Sequence, residues 1–302
     1  MRYDDGQLTA LAAAVDHGTL EAAARALHVT PSAISQRLSA LEASCGRVLL
    51  ERTKPVRVTP SGAIVLRLAR QLRQLSDDVT AELGVGADGA STVVVSLAVN
   101  SDSLATWVLP ALAPLARGDG DATPICLDLH REDEQRTAEL LVAGTVMAAV
   151  TARARPVAGC TSTPLGSLRY RPAAAPAFAR RWFQAGPTPQ ALATAPMITF
   201  YDDLQHEYLR RRAPDGPPPP AHVVPASADF MAAIEMGFGW GMLPDVQSEK
   251  LRARGDLVVI DHEYTLDVAL YWQQWKRAPA ALDRVAAALL TAARAQLLAM
   301  PT

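Results

Sequence analysis

Between Thr30 and Gly46 the chain carries groups suited to one kind of chemistry, hydrogen bonding to a polyanion. Ser32, Ser35, Gln36 and Arg37 fall on one side of a helical stretch whose other side holds Ile34, Leu38 and Leu41 at i, i+4 and i+7. Thr30 fits the N-cap, and Pro31 fits the first helical position, where a missing N–H costs nothing. Gln36 and Arg37 can meet a base edge in bidentate fashion, worth about 1–3 kcal/mol of discrimination, while Ser32 and Ser35 suit phosphate oxygens. A helical hairpin with a polar outer face satisfies the same spacing, so the flanking elements have to decide.

Those elements favour DNA. Leu8, Leu11, Ala12 and Val15 repeat at helical spacing and stop at His17-Gly18, and a second helix follows Thr19 as far as Leu27. The short break His28-Val29-Thr30 then leads into the third helix, which makes a helix-turn-helix. Val48–Thr53 and Val56–Thr59, separated by Lys54-Pro55, read as a β-hairpin wing bearing Arg52, Lys54 and Arg57, with Thr59 as a further hydroxyl toward DNA. The whole chain of 302 residues has 29 basic and 31 acidic side chains, a net charge of −2 that taken alone argues against a nucleic-acid partner. Arg25–Arg73 holds nine basic residues against two acidic ones, net +7, the local excess that binding to DNA requires.

From Ser61 a longer helix runs to about Leu83. Its Val65, Leu68, Leu72, Leu75 and Val79 are spaced 3, 4, 3, 4, the pattern of a two-helix seam, which predicts a homodimer. Gly84–Ser91 has linker composition. Beyond it strands alternate with helices: predicted strands are Val93–Val99, Ile125–His130, Val146–Thr151, Met197–Phe200, His222–Val224, Trp240–Leu243, Leu257–Ile260 and Leu266–Trp272. Predicted helices include Leu104–Leu115, Glu134–Ala143, Asp229–Gly237 and Ala280–Ala299.

The expected architecture is α+β and multidomain. A winged helix-turn-helix (1–60) and a linker helix with its linker (61–90) precede a bilobed α/β domain (91–302) like a periplasmic binding protein. Lobe 1 spans about 91–162 and 266–302, and lobe 2 about 163–265.

Several classes are disfavoured. There is no GxSxG or Walker motif, the six histidines are scattered, and Cys45, Cys126 and Cys160 are far apart without metal-ligand spacing, so neither an enzyme nor a zinc or disulfide framework is expected. The acidic start MRYDDGQL does not read as a signal peptide and no apolar run is long enough to span a bilayer, which predicts a cytoplasmic protein.

AAARALHVTPSAISQRLSALEASCGRVLLERTKPVRVTPSGAIVL resembles the winged helix-turn-helix of the LysR-type transcriptional regulators, and the resemblance extends over the whole chain. LAVNSDSLATWVLPALAPL, EDEQRTAELLVAGTVMAAVT and YWQQW are similar to the branch called ArgP, IciA or LysG. The resemblance implies a regulator that responds to lysine, arginine or histidine and controls promoters such as that of an amino-acid exporter. It implies no cofactor, with lysine or arginine as a small-molecule effector. A dimer joined by the Val65–Val79 seam presents two recognition helices, so an interrupted inverted repeat is expected as the site on double-stranded DNA; the resemblance further implies dimers that pair into tetramers, with RNA polymerase as a partner at activated promoters. The IciA name also implies an alternative, a nucleoid or replication-initiation protein not gated by ligand. One departure stands out: Pro31-Ser32 occupies the start of the recognition helix where most of the family has Gln-Pro, so a base contact from a side-chain amide at that position is lost.

An amino-acid effector directs attention to the turn Asn100-Ser101-Asp102-Ser103 after the first α/β strand. Asn100 fits an N-cap, and the amides behind it with the Ser101 and Ser103 hydroxyls can hold an α-carboxylate. Asp102 fits equally well as a charge balancing the helix dipole. Glu132-Asp133, Asp202-Asp203 and Asp229, with Ser227 nearby, are candidate partners for a ligand cation; each also reads as part of a solvated loop. Asp202-Asp203 ends a strand, where ligands of open α/β sheets gather, and is assigned the side-chain cation; Thr151, at another strand end, is assigned the α-amino group. The region after residue 83 has 19 basic and 22 acidic residues, net −3, in keeping with a cationic ligand.

Overall fold

The computed structural model describes residues 3–51, 53–82, 93–119, 124–132, 134–200, 204–225, 227–276 and 279–300. The predicted linker Gly84–Ser91 lies outside them.

The N-terminal head consists of α1 (Asp5–Asp16), α2 (Leu20–Ala26), α3 (Pro31–Cys45), the hairpin β1 (Leu50–Glu51) and β2 (Arg57–Val58), and α4 (Pro60–Glu82). Its helices start where side chains can cap them: Asp4, Thr19 and Thr30 accept the amides of Gln7, Ala22 and Ala33 at 3.0, 3.1 and 3.2 Å. Leu8, Leu11, Ile34, Leu38, Leu41, Leu49 and Leu66 form the core, and Ala10, Ala14, Ala23 and Ala24 let the helices approach closely. The wing ladder is shorter than predicted, pairing only Leu50 with Val58 and Glu51 with Arg57. Glu42, an acid in the basic segment, ties it to α3: one carboxylate oxygen accepts the Leu49 and Leu50 amides at 2.8 and 3.3 Å. The start of α4 lies so close to the wing that a Cβ on Gly62 would sit 1.9 Å from the Leu49 carbonyl oxygen.

The rest of the chain begins with β3 (Val93–Val99), α5 (Ser101–Ser103), a π-helical segment (Leu104–Val108) and α6 (Leu109–Arg117), one continuous helical run after β3. Pro110 and Pro114 withhold two N–H groups from that run, and it widens just before them. Then come β4 (Ile125–Arg131), α7 (Glu134–Ala143), β5 (Ala148–Thr151), β6 (Cys160–Ala174), α8 (Pro176–Trp182), α9 (Pro189–Thr194), β7 (Met197–Thr199), α10 (Leu204–Arg212) and β8 (Ala221–Val223). The chain continues with α11 (Ser227–Glu235), β9 (Gly241–Pro244), α12 (Asp245–Arg254), β10 (Val258–Val259), β11 (Leu266–Trp275) and α13 (Ala280–Gln296).

The large sheet has the order β10-β6-β11-β5-β3-β4, with β9 also on β6, while β7 and β8 pair separately in parallel. β3 runs parallel to both β4 and β5. β6 and β11 are long antiparallel partners, paired from Leu266–Tyr170 to Trp275–Cys160, and they join the β3–β5 half to the half built on β7–β10. The strand β6 was not predicted, and it runs unbroken across residue 163, where the lobes were expected to divide. Pro164 sits at a register shift against Tyr271, and Gly166, at φ +136, faces the Leu298 carbonyl so closely that a Cβ would lie 2.6 Å from it. Gln273 of β11 is fully buried and ties down the loop after β5: it donates to the Arg153 and Arg155 carbonyls at 2.7 and 3.1 Å and accepts the Val157 amide at 2.9 Å.

The head is docked on this half through α4. Arg70 Nη1 donates to the Ala143 carbonyl at the C-terminus of α7 at 3.0 Å and to Thr145 Oγ1 at 2.8 Å, while Nη2 pairs with Asp16 of α1. Arg67 donates to the Ala158 carbonyl. Gly144, at φ +69, leaves room for this contact, since a Cβ there would lie 2.9 Å from Arg67 Cα.

Candidate nucleic-acid interface and ligand cleft

On α3 the core takes Ile34, Leu38 and Leu41, which leaves Ser32 and Gln36 exposed and Ser35 and Arg37 half-buried. The Thr30 hydroxyl pairs with that of Ser32 at 2.9 Å, and exposed Pro31 begins the helix. The Arg37 guanidinium lies beside the start of α1, where a Cβ on Gly6 would be 3.8 Å from its Cζ. Exposed Ser39, one turn beyond Gln36 and two beyond Ser32, extends the same polar stripe; it was not singled out, although its spacing could have found it.

Lys54 and Arg57 are exposed on the wing, and Arg52 lies outside the described residues. Thr59 was expected to meet DNA, but its hydroxyl donates to the Val48 carbonyl at 2.8 Å and accepts the Gly62 amide at 3.0 Å. Its one proton is spent closing the wing, and its oxygen caps α4.

The seam on α4 needs a correction. Val65 is buried with Leu66 and Ala69 in the head's own core. Ile64, Leu72, Leu75 and Val79 are 61%, 40%, 47% and 53% exposed, with Leu68 half-buried beside them, so the unpartnered stripe begins at Ile64.

The second region lies at the C-terminal edge of three adjacent parallel strands. Val99 pairs with both Val150 and Arg131, so Thr151, Asn100 and Glu132 follow side by side on β5, β3 and β4. The Glu132 amide donates to the Val99 carbonyl at 3.3 Å, which sets the backbone of this half-buried residue next to Asn100. Buried Thr151 accepts the Arg153 amide at 3.3 Å.

Asn100 occupies the N-cap position but makes no capping hydrogen bond. Its Oδ1 is buried without a partner, and so is the hydroxyl of fully buried Ser103; Ser101 is half-buried. Asp102 does more than balance a dipole. Its two carboxylate oxygens accept the Tyr170 hydroxyl of β6 at 2.7 Å and the Ser227 hydroxyl of α11 at 2.6 Å, a tie between the two halves. Burial foremost, and then Asp102, push the Tyr170 phenol well above its ordinary pKa, so it remains a donor. Gln247 Nε2 lies 3.4 Å from the Ser227 hydroxyl, and its Oε1 is buried without a partner.

Thus Asn100, Ser101, Asp102, Ser103, Glu132, Thr151 and Ser227 gather around this edge. Asp229 is exposed on α11, outside the hydrogen-bonded cluster, and Asp133, Asp202 and Asp203 lie outside the described residues. Tyr170 and Gln247 were missed, because nothing local in the chain relates them to Asp102. Among the described residues no cluster of His, Cys, Asp and Glu could hold a metal ion, and no helix is long and apolar enough to cross a membrane.

Comparison with known proteins gives this geometry a context. Residues 6–63 match the family described as bacterial regulatory helix-turn-helix protein, lysR family, and residues 89–294 match the LysR substrate binding domain. The HTH-type transcriptional regulator LysG of Mycobacterium tuberculosis is 42% identical over 277 residues, covering 91% of this chain and 88% of that protein. The lysine export transcriptional regulatory protein LysG of Corynebacterium efficiens is 37% identical over 294 residues, covering 96% and 98%. The full-length structure of LysG from Corynebacterium glutamicum with bound effector Arg superposes with a TM-score of 0.81 at 33% identity, covering 98% of this chain and all of that one. A capped helix-turn-helix with a basic wing, joined through a long helix to an α/β sensor and matched along nearly its whole length, is a DNA-binding transcriptional regulator: the chain belongs to the LysR family.

Proposed function

We propose that the protein senses a basic amino acid, lysine or arginine, between the two halves of its α/β domain and controls a promoter accordingly, that of an amino-acid exporter gene being the first candidate. The observation that carries the reading is the carboxylate of Asp102, bonded to both halves at the edge where α/β sheets bind ligands, with partnerless oxygens on Asn100, two residues before it, and on Gln247, whose Nε2 reaches Ser227. Glu132, one strand over, suits the side-chain cation, and the arginine bound by the Corynebacterium glutamicum relative supports the ligand class.

On DNA, the α3 stripe reads bases through Gln36 and Arg37, Ser32, Ser35 and Ser39 meet phosphates, and Lys54, Arg57 and Arg52 take the flank of the site. Ile64, Leu68, Leu72, Leu75 and Val79 form the dimer seam, which presents two recognition helices to an interrupted inverted repeat. Pairing of dimers, contact with RNA polymerase and a cytoplasmic location complete the proposal. The chain divides accordingly into a head (1–60), a linker (61–90) and a sensor (91–302). A thermal-shift panel of lysine, arginine, histidine, leucine and glutamate, followed by footprinting on the gene's own promoter, tests it. The expected result is stabilisation by the basic amino acids and a footprint they alter; stabilisation by leucine or glutamate alone, or a footprint indifferent to all five, refutes it.

A further inference from the structure

The polar atoms around Asp102 are unbalanced in one direction. Asn100 Oδ1 and Gln247 Oε1 are buried acceptors without donors, and the hydroxyl of Ser103, the residue after Asp102, is fully buried and unpartnered. Each carboxylate oxygen of Asp102 accepts one neutral hydroxyl, from Tyr170 or Ser227, and keeps a second lone pair. A site rich in acceptors that includes a carboxylate calls for a group with several donors, no acceptor and a positive charge, and an ammonium group with three N–H donors meets that description.

A basic amino acid carries two cations, and the placement distinguishes them. Asp102 lies in the first turn of the helical run that continues unbroken from Ser101 to Arg117, a turn that Asn100 leaves uncapped. The amides of that turn suit a carboxylate, and in an amino acid the group one carbon away from the carboxylate is the α-ammonium. The side-chain cation is several bonds farther off and has Glu132 on the neighbouring strand.

We propose that Asp102 is the residue that reads the α-ammonium group of the effector, with the amide oxygens of Asn100 and Gln247 as its other acceptors, and that the Ser227 hydroxyl is the internal donor this group replaces. Tyr170, 4% exposed and on the strand that joins the halves, stays on Asp102 throughout. Asp102 then makes an α-amino group a requirement, so that an ω-amino acid of similar length does not pass for the effector. This inference rests on the proposed sensing of a basic amino acid.

The test uses the full chain and isothermal titration with L-lysine and with 6-aminohexanoic acid, which is lysine without its α-amino group, on the wild type and on Asp102→Asn. The wild type should bind lysine about 10–100-fold more tightly than 6-aminohexanoic acid, the range for a charge-assisted hydrogen bond made or lost. In Asp102→Asn lysine binding should fall to the level of 6-aminohexanoic acid while the latter changes little, a selective loss that mere damage to the fold does not produce. Equal wild-type affinities for the two ligands overturn the inference whether or not the variant folds. An unchanged preference in a folded Asp102→Asn also overturns it, while leaving basic amino-acid sensing in place. A wild type that binds neither lysine here nor arginine in the thermal-shift panel overturns both.

Discussion

Replacing Arg70 with alanine should loosen the head from the sensor. The Arg70 side chain is only 10% exposed and joins Asp16, the Ala143 carbonyl and the Thr145 hydroxyl, the last two across the domain boundary at 3.0 and 2.8 Å. Breaking a fully buried ion pair by removing one partner costs about 3–5 kcal/mol, whereas an exposed pair is worth about 0–1. Asp16 is 34% exposed and the carbonyl lies at a helix end that water can reach once the arginine is gone, so the docking contact should weaken by about 2 kcal/mol. That is roughly a 30-fold shift in the ratio of docked to undocked heads. Small-angle X-ray scattering on the full chain should show a larger radius of gyration, and calorimetry should show the head's transition separating from that of the sensor. Gly144→Ala approaches the same interface from the opposite side, with a Cβ 2.9 Å from the Arg67 backbone and a positive φ to strain it, and should have the same effect. Scattering curves of both variants superimposable on the wild type, with a single unchanged transition, refute the reasoning.

On DNA, Arg37→Ala should cost about 1–3 kcal/mol on the operator but little on scrambled duplex, while Arg57→Ala weakens both alike and lowers the salt slope by about one; gel shifts that find discrimination intact in Arg37→Ala reject the assignment. Thr30→Ala removes the cap of α3 at the Ala33 amide and should lower urea stability of the head by about 1 kcal/mol, whereas an unchanged midpoint would make the cap idle. Burial foremost, and then a neighbouring carboxylate, raise the phenols of Tyr170 and Tyr208, by Asp102 and Asp261 respectively. Since the unfolded chain ionises these phenols near pH 10 and the folded one resists, stability is intact below about pH 10 and falls above it, by up to about 1.4 kcal/mol per pH unit for each. Urea midpoints at pH 9 to 11 should fall less steeply in Tyr170→Phe and Tyr208→Phe, and parallel slopes would discount the two phenols.

Legibility in the sequence followed the range of the interactions. The head was readable because Thr19, Thr30 and Pro31 act on residues within one turn, and their caps formed as spaced. The phase of the α4 seam was not: both Ile64 and Val65 precede Leu68 at helical spacing, and only the packing of Val65 onto Leu66 and Ala69 decides which faces outward. Pro164, Gly166 and Pro172 punctuate β6 as a loop would be punctuated, yet a bulge, a close crossing by Leu298 and pairing with Met242 give each a place in a strand. The Pro176 and Pro189 starts of α8 and α9 were legible N1 signals that went unread. In the cleft, the turn at Asn100 was visible from its strand-to-helix setting, whereas the ties from Asp102 to Tyr170 and Ser227 cross 68 and 125 residues and exist only through the β6–β11 crossing.

Gln273 gives that crossing a mechanical meaning. Its three bonds suspend the 153–157 loop from the end of β11, and the next residue, Ala158, carries the carbonyl that Arg67 grips. The far end of β11, at Leu266, pairs with Tyr170, the residue bonded to Asp102. The mooring point of the DNA-binding head and the clasp of the cleft therefore hang from opposite ends of one rod.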